Sequence, residues 1–240
     1  MKQDRSSSTF KLRYNISMEK KIIAGVIAFA VIAVFIGLMI PVQQQPPGQT
    51  FPWQVKKTPQ GQTQVFGVIP GQSTLREAER AFRASAELSL FVPANRVRQP
   101  VVEAYFDKVS LGGLSAKVVL VIGFSEQQLQ AMHDRGVRIS TLGDGSRKVT
   151  LSTQDIATVL ESPVSSITYL PRIRLESTLL EKRFGQPAQI VTEKEGNMAH
   201  WLYPDLGLDV ALDEKGNAVL QYVAPTQFEQ LITPLRQLKQ

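Results

Sequence analysis

Apolar positions along this chain fall into three patterns. Residues 22–40 (IIAGVIAFAVIAVFIGLMI) form an unbroken run of 19 residues without a charge. Residues 41–62 show no apolar periodicity. From Gln64 onward, stretches alternating at period two, read as strands, are interleaved with short stretches at helical period.

The unbroken run predicts a membrane helix. At about 1.5 Å per residue it spans roughly 28 Å, close to the ~30 Å hydrocarbon core. Pro41 stops it. Lys20 and Lys21 abut its N-terminal end, whereas the first charge beyond its C-terminal end is Lys56. The positive-inside rule therefore predicts residues 1–21 in the cytoplasm and residues 41–240 across the membrane. A long basic leader, a long apolar run and the lack of an A-x-A-like site favour an uncleaved anchor over a signal peptide. Ala24 with Ala28, and Ala33 with Gly37, recur at four-residue spacing, which would let two copies pair through this helix, although no strict GxxxG is present.

Residues 41–62 contain five Pro and seven Gln and predict an extended spacer. Phe51 and Trp53 interrupt it, and docking of these rings on the domain is at least as good a reading as the membrane interface.

Residues 63–150 and 151–240 read as two copies of one α+β unit. Gln64–Ile69, Pro70 and Ser73-Thr74-Leu75 match Ser166–Leu170, Pro171 and Ser177-Thr178-Leu179. Thr74/Glu77 and Thr178/Glu181 each have the spacing of a capping box, in which a Thr hydroxyl and a Glu carboxylate satisfy amides of the first helical turn. Strands follow at 101–107 and 116–122 across the Leu111-Gly-Gly-Leu114 turn, and at 200–203, 206–212 and 218–223, with a turn at Asp213–Asn217. Short helices are predicted at 125–132, 151–160 and 226–231. The expected fold is α+β: two tandem small antiparallel sheets, each packed by short helices, preceded by one transmembrane helix.

In the second copy, Ser177–Phe184 is followed by Gly185-Gln-Pro187, then by His200-Trp-Leu-Tyr203 and two strands across a turn. From Leu175 to Val223 this resembles the SmpA/OmlA-type small lipoproteins of outer-membrane barrel assembly. The resemblance implies short helices on one face of a small antiparallel sheet, and a setting in the bacterial envelope. Gly185 is expected to end its helix in the left-handed region. The family's lipid-bearing cysteine has no counterpart, because the chain has no cysteine. A signal anchor in its place moves the expected membrane from the outer to the inner one.

Charge changes the picture once. The net charge of +6 suggests nucleic acid, but residues 1–21 hold six basic and two acidic groups, leaving the rest at +2. No nucleic-acid partner is expected, since no basic stripe is present.

Candidate chemistry is sparse. With no cysteine and two histidines, no metal-ligand spacing or cofactor motif is present, and no catalytic residue, metal or cofactor is expected. His200 with Tyr203 and Asp205 is the one constellation that suggests a hydrolase or transferase. His200 next to Glu193, Glu195 and Asp205 reads better as structural. Asp205, Asp209 and Asp213 read as a solvated strand face. Arg172 and Arg174, with His200, Trp201 and Tyr203, are the candidate interaction surface. An exposed patch of Tyr105, Phe106, Trp201 and Tyr203 would mark a ligand-sensing or inhibitor-like domain, although these rings suit a core better. The expected function is a non-enzymatic binding or assembly module, anchored in the inner membrane of a Gram-negative bacterium and facing the periplasm, with an envelope protein as partner.

Overall fold

The computed structural model describes residues 50–95, 99–193 and 197–237. The expected tail, the membrane helix at 22–40 and the first part of the spacer lie outside them. Among the described residues no helix is long and apolar enough to cross a membrane.

The strands are β1 (Lys56–Lys57), β2 (Thr63–Gln64), β3 (Glu87–Val92), β4 (Val101–Leu111), β5 (Leu114–Ile122), β6 (Arg138–Thr141), β7 (Arg147–Thr150), β8 (Val164–Pro171), β9 (Gln189–Thr192), β10 (Met198–Tyr203), β11 (Leu208–Asp213) and β12 (Ala218–Val223). The α-helices are α1 (Leu75–Phe82), α2 (Glu126–Asp134), α3 (Thr153–Leu160), α4 (Ser177–Phe184) and α5 (Phe228–Gln237). The α+β class with antiparallel sheets is as expected. Two separate small sheets are not found. Ten strands form one sheet in the order β6-β7-β3-β4-β5-β8-β12-β11-β10-β9, beside the small β1–β2 pair.

β8 makes the join. It pairs with β5 along Ala116↔Pro171 to Ile122↔Val164, and with β12 along Leu220↔Tyr169 to Val223↔Ser166. Both of its edges are satisfied, so neither meander ends on an open strand here. The boundary expected at residue 150 falls between β7 and α3, within the span of this one sheet.

Turn chemistry places the hairpins. Gly112 and Gly113 have φ of 59° and 80°, the pair of positive values that a two-residue type I′ turn demands. α1 starts with a complete capping box: the Glu77 amide donates to Thr74 Oγ1 at 3.2 Å and the Thr74 amide to Glu77 Oε2 at 2.9 Å. Ser125 and Gln128 make a second box on α2. The box expected at Thr178/Glu181 is not formed. α4 begins two residues earlier, its N-cap is Glu176 without a side-chain cap bond, and Thr178 lies inside the helix. Gly185 does end α4, but at φ 81°, ψ −167°, not in the left-handed helical region.

One face of the sheet carries the main core. Leu75, Ala78, Ala81 and Phe82 of α1, Leu129 and Met132 of α2, Val159 of α3 and Leu180 of α4 are buried against Leu90, Val102, Phe106, Val118, Leu120, Ile167, Tyr169, Val210 and Tyr222. On the opposite face a smaller cluster joins Phe228 and Ile232 of α5 to Val191, Leu202 and Val223. α5 thus covers only the β9–β10–β12 end of that face.

The C-terminal part of the Pro/Gln-rich segment is held on the domain. Tyr222 Oη donates to the Pro52 carbonyl at 2.8 Å, and Thr63 Oγ1 to the Leu206 carbonyl at 2.8 Å. Phe51 stacks on Trp53 at 4.9 Å, and the Arg183 guanidinium lies over the Trp53 ring at 5.0 Å.

Candidate functional site

Along β10 and β11 successive side chains alternate between the two faces, while residues paired across the strands share one face. Leu202 pairs with Asp209 and His200 with Ala211, which puts His200 and Asp209 diagonally adjacent on the α5 face. His200 Nδ1 lies 2.8 Å from Asp209 Oδ2, and its Nε2 lies 3.2 Å from Glu193 Oε1. Only the imidazolium donates from both nitrogens, so this carboxylate–imidazole–carboxylate bridge favours the charged ring. Burial by itself lowers the His200 pKa. The hydrogen bonds and charges of Asp209, then of Glu193, outweigh it and raise the value above 6.5. Because each carboxylate takes a different ring nitrogen, the three side chains do not converge on a point where an ion could sit. Among the described residues no cluster of three His, Cys, Asp or Glu has metal-holding geometry.

The constellation of His200, Tyr203 and Asp205 is not brought together. Three residues apart on a strand, His200 and Tyr203 face opposite ways. Tyr203 is buried in the main core, where its Oη donates to the Gly185 carbonyl at 3.3 Å. Asp205 sits in the short turn Pro204–Leu206 that follows β10.

The three aspartates do not share a solvated face. Asp209 is 2% exposed and bonded to His200. Asp213 accepts from the amides of Lys215 and Asn217 at 2.9 and 2.8 Å and closes the β11–β12 turn. The Asn217 side-chain amide, which donates to Asp213 Oδ2 at 2.7 Å, and then these two backbone bonds hold its pKa below the usual carboxylate range.

Of the candidate interaction residues, Arg174 and Trp201 line a common feature. An open groove of about 680 Å3 runs between the start of α4, the β11–β12 turn and the ends of β9 and β10. Its lining mixes Arg174 and Lys215 with Glu176 and Glu214, so it has no single charge preference. Trp201 itself is 7% exposed. Arg172 lies elsewhere, its Nη2 donating to the Asp107 carbonyl at 3.3 Å. The proposed aromatic patch is likewise not formed. Phe106, Trp201 and Tyr203 are in the main core, whereas Tyr105 points to the opposite face.

That opposite face is the feature missed in the strand pattern. Register places Phe91 of β3, Val101, Glu103 and Tyr105 of β4, Val119 and Val121 of β5, and Ser166, Thr168 and Leu170 of β8 side by side on it. All are half-buried. None of their apolar members belongs to either core cluster. Among the described residues no helix lies over this stretch. The signal was available: in AKVVLVI (116–122) both faces are apolar, so one face remains to be accounted for after the core is filled.

Compared with protein-family models, curated proteins and solved structures, the chain matches none.

Proposed function

We propose that this chain is a non-enzymatic binding or assembly module of the bacterial cell envelope, held by a single-pass anchor in the inner membrane with its domain in the periplasm. The observation that carries the reading is the uncovered face over β3, β4, β5 and β8. A sheet that buries one face under four helices and leaves apolar side chains half-buried on the other resembles one side of an interface. Four strands at about 4.8 Å spacing put their axes roughly 14 Å apart from first to last, wider than a helix of about 10 Å diameter.

The envelope setting rests on the apolar run at 22–40, the lysines before it and the resemblance of Leu175–Val223 to SmpA/OmlA-type domains. Unlike those lipoproteins, the chain would face its partner from the inner membrane. The hydrolase alternative has lost its motivating juxtaposition, since His200 and Tyr203 point to opposite faces.

The test is photocrosslinking in living cells from single positions of the full chain. Val119 and Thr168 sample the uncovered face, and Gln154, exposed on α3, samples the helical side. Discrete adducts from Val119 and Thr168 but not Gln154 are expected. Adducts from Gln154 alone would move the interface to the helical side and end this reading.

A further inference from the structure

At the middle of the uncovered face stands one charge without a counterpart among the described residues. Glu103 lies between Ser89 of β3 and Val121 of β5 in the register, with Val101 and Tyr105 two residues away on its own strand. The charges flanking it, Glu87 with Lys148 and Lys117 with Asp107, are already matched. Lys148 Nζ lies 2.6 Å from Glu87 Oε1, and Lys117 Nζ 3.4 Å from Asp107 Oδ1. Each lysine also lies over an aromatic ring of this face, Lys148 over Phe91 at 5.9 Å and Lys117 over Tyr105 at 5.8 Å. Tyr105 Oη donates to Asp107 Oδ1 at 2.9 Å, which completes that corner. Arg172 is turned to the Asp107 carbonyl.

Glu103 differs. Burial alone acts on it, with no hydrogen bond or opposing charge among the described residues, and pushes its pKa up. A half-desolvated carboxylate without an opposing charge beside it is a cost to the free protein that a cation arriving with apolar neighbours removes.

From this charge pattern, and resting on the binding-module reading above, we infer that the uncovered face takes a segment of a partner protein presenting a lysine or arginine flanked by apolar residues, with the basic group seated on Glu103. An anionic bilayer is the poorer match, because the charge left unpaired at the centre is negative. A second copy of this domain is poorer too, since face-to-face pairing of identical surfaces would bring two Glu103 carboxylates toward one another. The lysines at the rim, matched to Glu87 and Asp107, orient the segment more than they hold it.

The experiment extends the crosslinking series with the intact chain. Photoreactive residues at Val119 or Thr168 are combined with Glu103, Glu103→Gln and Glu103→Lys, and the crosslinked partner peptide is sequenced by mass spectrometry. Adduct yield is expected to fall about tenfold or more in Glu103→Lys and by less in Glu103→Gln. The captured peptide should carry a lysine or arginine within a few residues of the crosslink. Restoring the adduct in Glu103→Lys by changing that basic residue of the partner to Glu would identify the pair. Glu103→Gln preserves size, and thermal melting of each purified variant separates lost binding from lost folding.

Adducts that survive Glu103→Lys at full yield, or a captured peptide with no basic residue, would overturn the cation inference and leave the docking face standing. Absence of adducts from both Val119 and Thr168 in the unsubstituted chain would remove the docking face and this inference together. Adducts to a second copy of the chain would replace the partner segment with a homodimer.

Discussion

His200 Nδ1 and Asp209 Oδ2 lie 2.8 Å apart on neighbouring strands, offset by one diagonal step and both nearly buried. Glu193 closes the other ring nitrogen at 3.2 Å. The ring is therefore held between two carboxylates, under the edge that α5 covers.

This bridge makes folding pH-dependent. The folded pKa of His200 is raised above 6.5. Its contribution is therefore fully present below 6.5 and is lost as pH rises through the folded value. Denaturant melts across this range should show stability falling with pH, and His200→Gln should flatten the slope. Asp209→Ala is expected to cost about 3 kcal/mol, because it leaves a buried cation without its partner. Glu193→Gln, at the more exposed end, should cost less than about 1 kcal/mol.

The two Thr-x-x-Glu motifs should behave differently. Thr74→Ala removes a formed cap and is expected to cost about 1 kcal/mol. Thr178→Ala should be near neutral, because Thr178 caps nothing. Glu176→Ser, at a real N-cap position without a cap bond, should stabilise by up to about 1 kcal/mol. Chemical denaturation of the three variants checks the order.

Docking of residues 50–53 can be read from a glycine pair. A Cβ on Gly112 would come within 2.9 Å of the Phe51 amide nitrogen, whereas one on Gly113 meets nothing within 4 Å. Both positions carry positive φ, so each alanine costs about 1–2 kcal/mol of backbone strain. Gly112→Ala should cost more than Gly113→Ala in the full chain. In a Phe51→Gly background the clash with the ring is relieved while that with the Phe51 backbone remains, so the difference should shrink without vanishing. Trp53→Ala should lower stability by about 1–2 kcal/mol through loss of the stack and the cation–π contact.

The absence of cysteine makes a topology test clean. Single substitutions Ser7→Cys and Gln127→Cys, the latter exposed on α2, are labelled in intact cells with a maleimide that does not cross the inner membrane. Labelling of Gln127→Cys only is expected. Labelling of Ser7→Cys only would reverse the orientation.

Local order was legible before the fold was known. The Thr74 cap, the Gly112-Gly113 turn, the Asp213–Asn217 turn and the strands after Val101 follow from side chains close in sequence. The edge strands β6 and β9 were harder, at four residues each with exposed side chains and little alternation to read. The candidate surface was legible only in part. Arg174 and Trp201 share a groove, but Arg172, His200 and Tyr203 are scattered over other faces.

Sequence by itself determined the apolar run at 22–40, the charge asymmetry around it, the α+β alternation and the turns, because each depends on residues within a few positions of one another. Tertiary structure decided that two meanders fuse through β8, that α5 crosses to the opposite face, and that Asp209 meets His200 instead of solvent. These depend on pairing register between distant segments, and a shift of one residue exchanges the two faces of a strand. The same register leaves Glu103 beside Val101, Tyr105 and Val121, without an opposing charge among the described residues, on the stretch of the second face that no described helix covers.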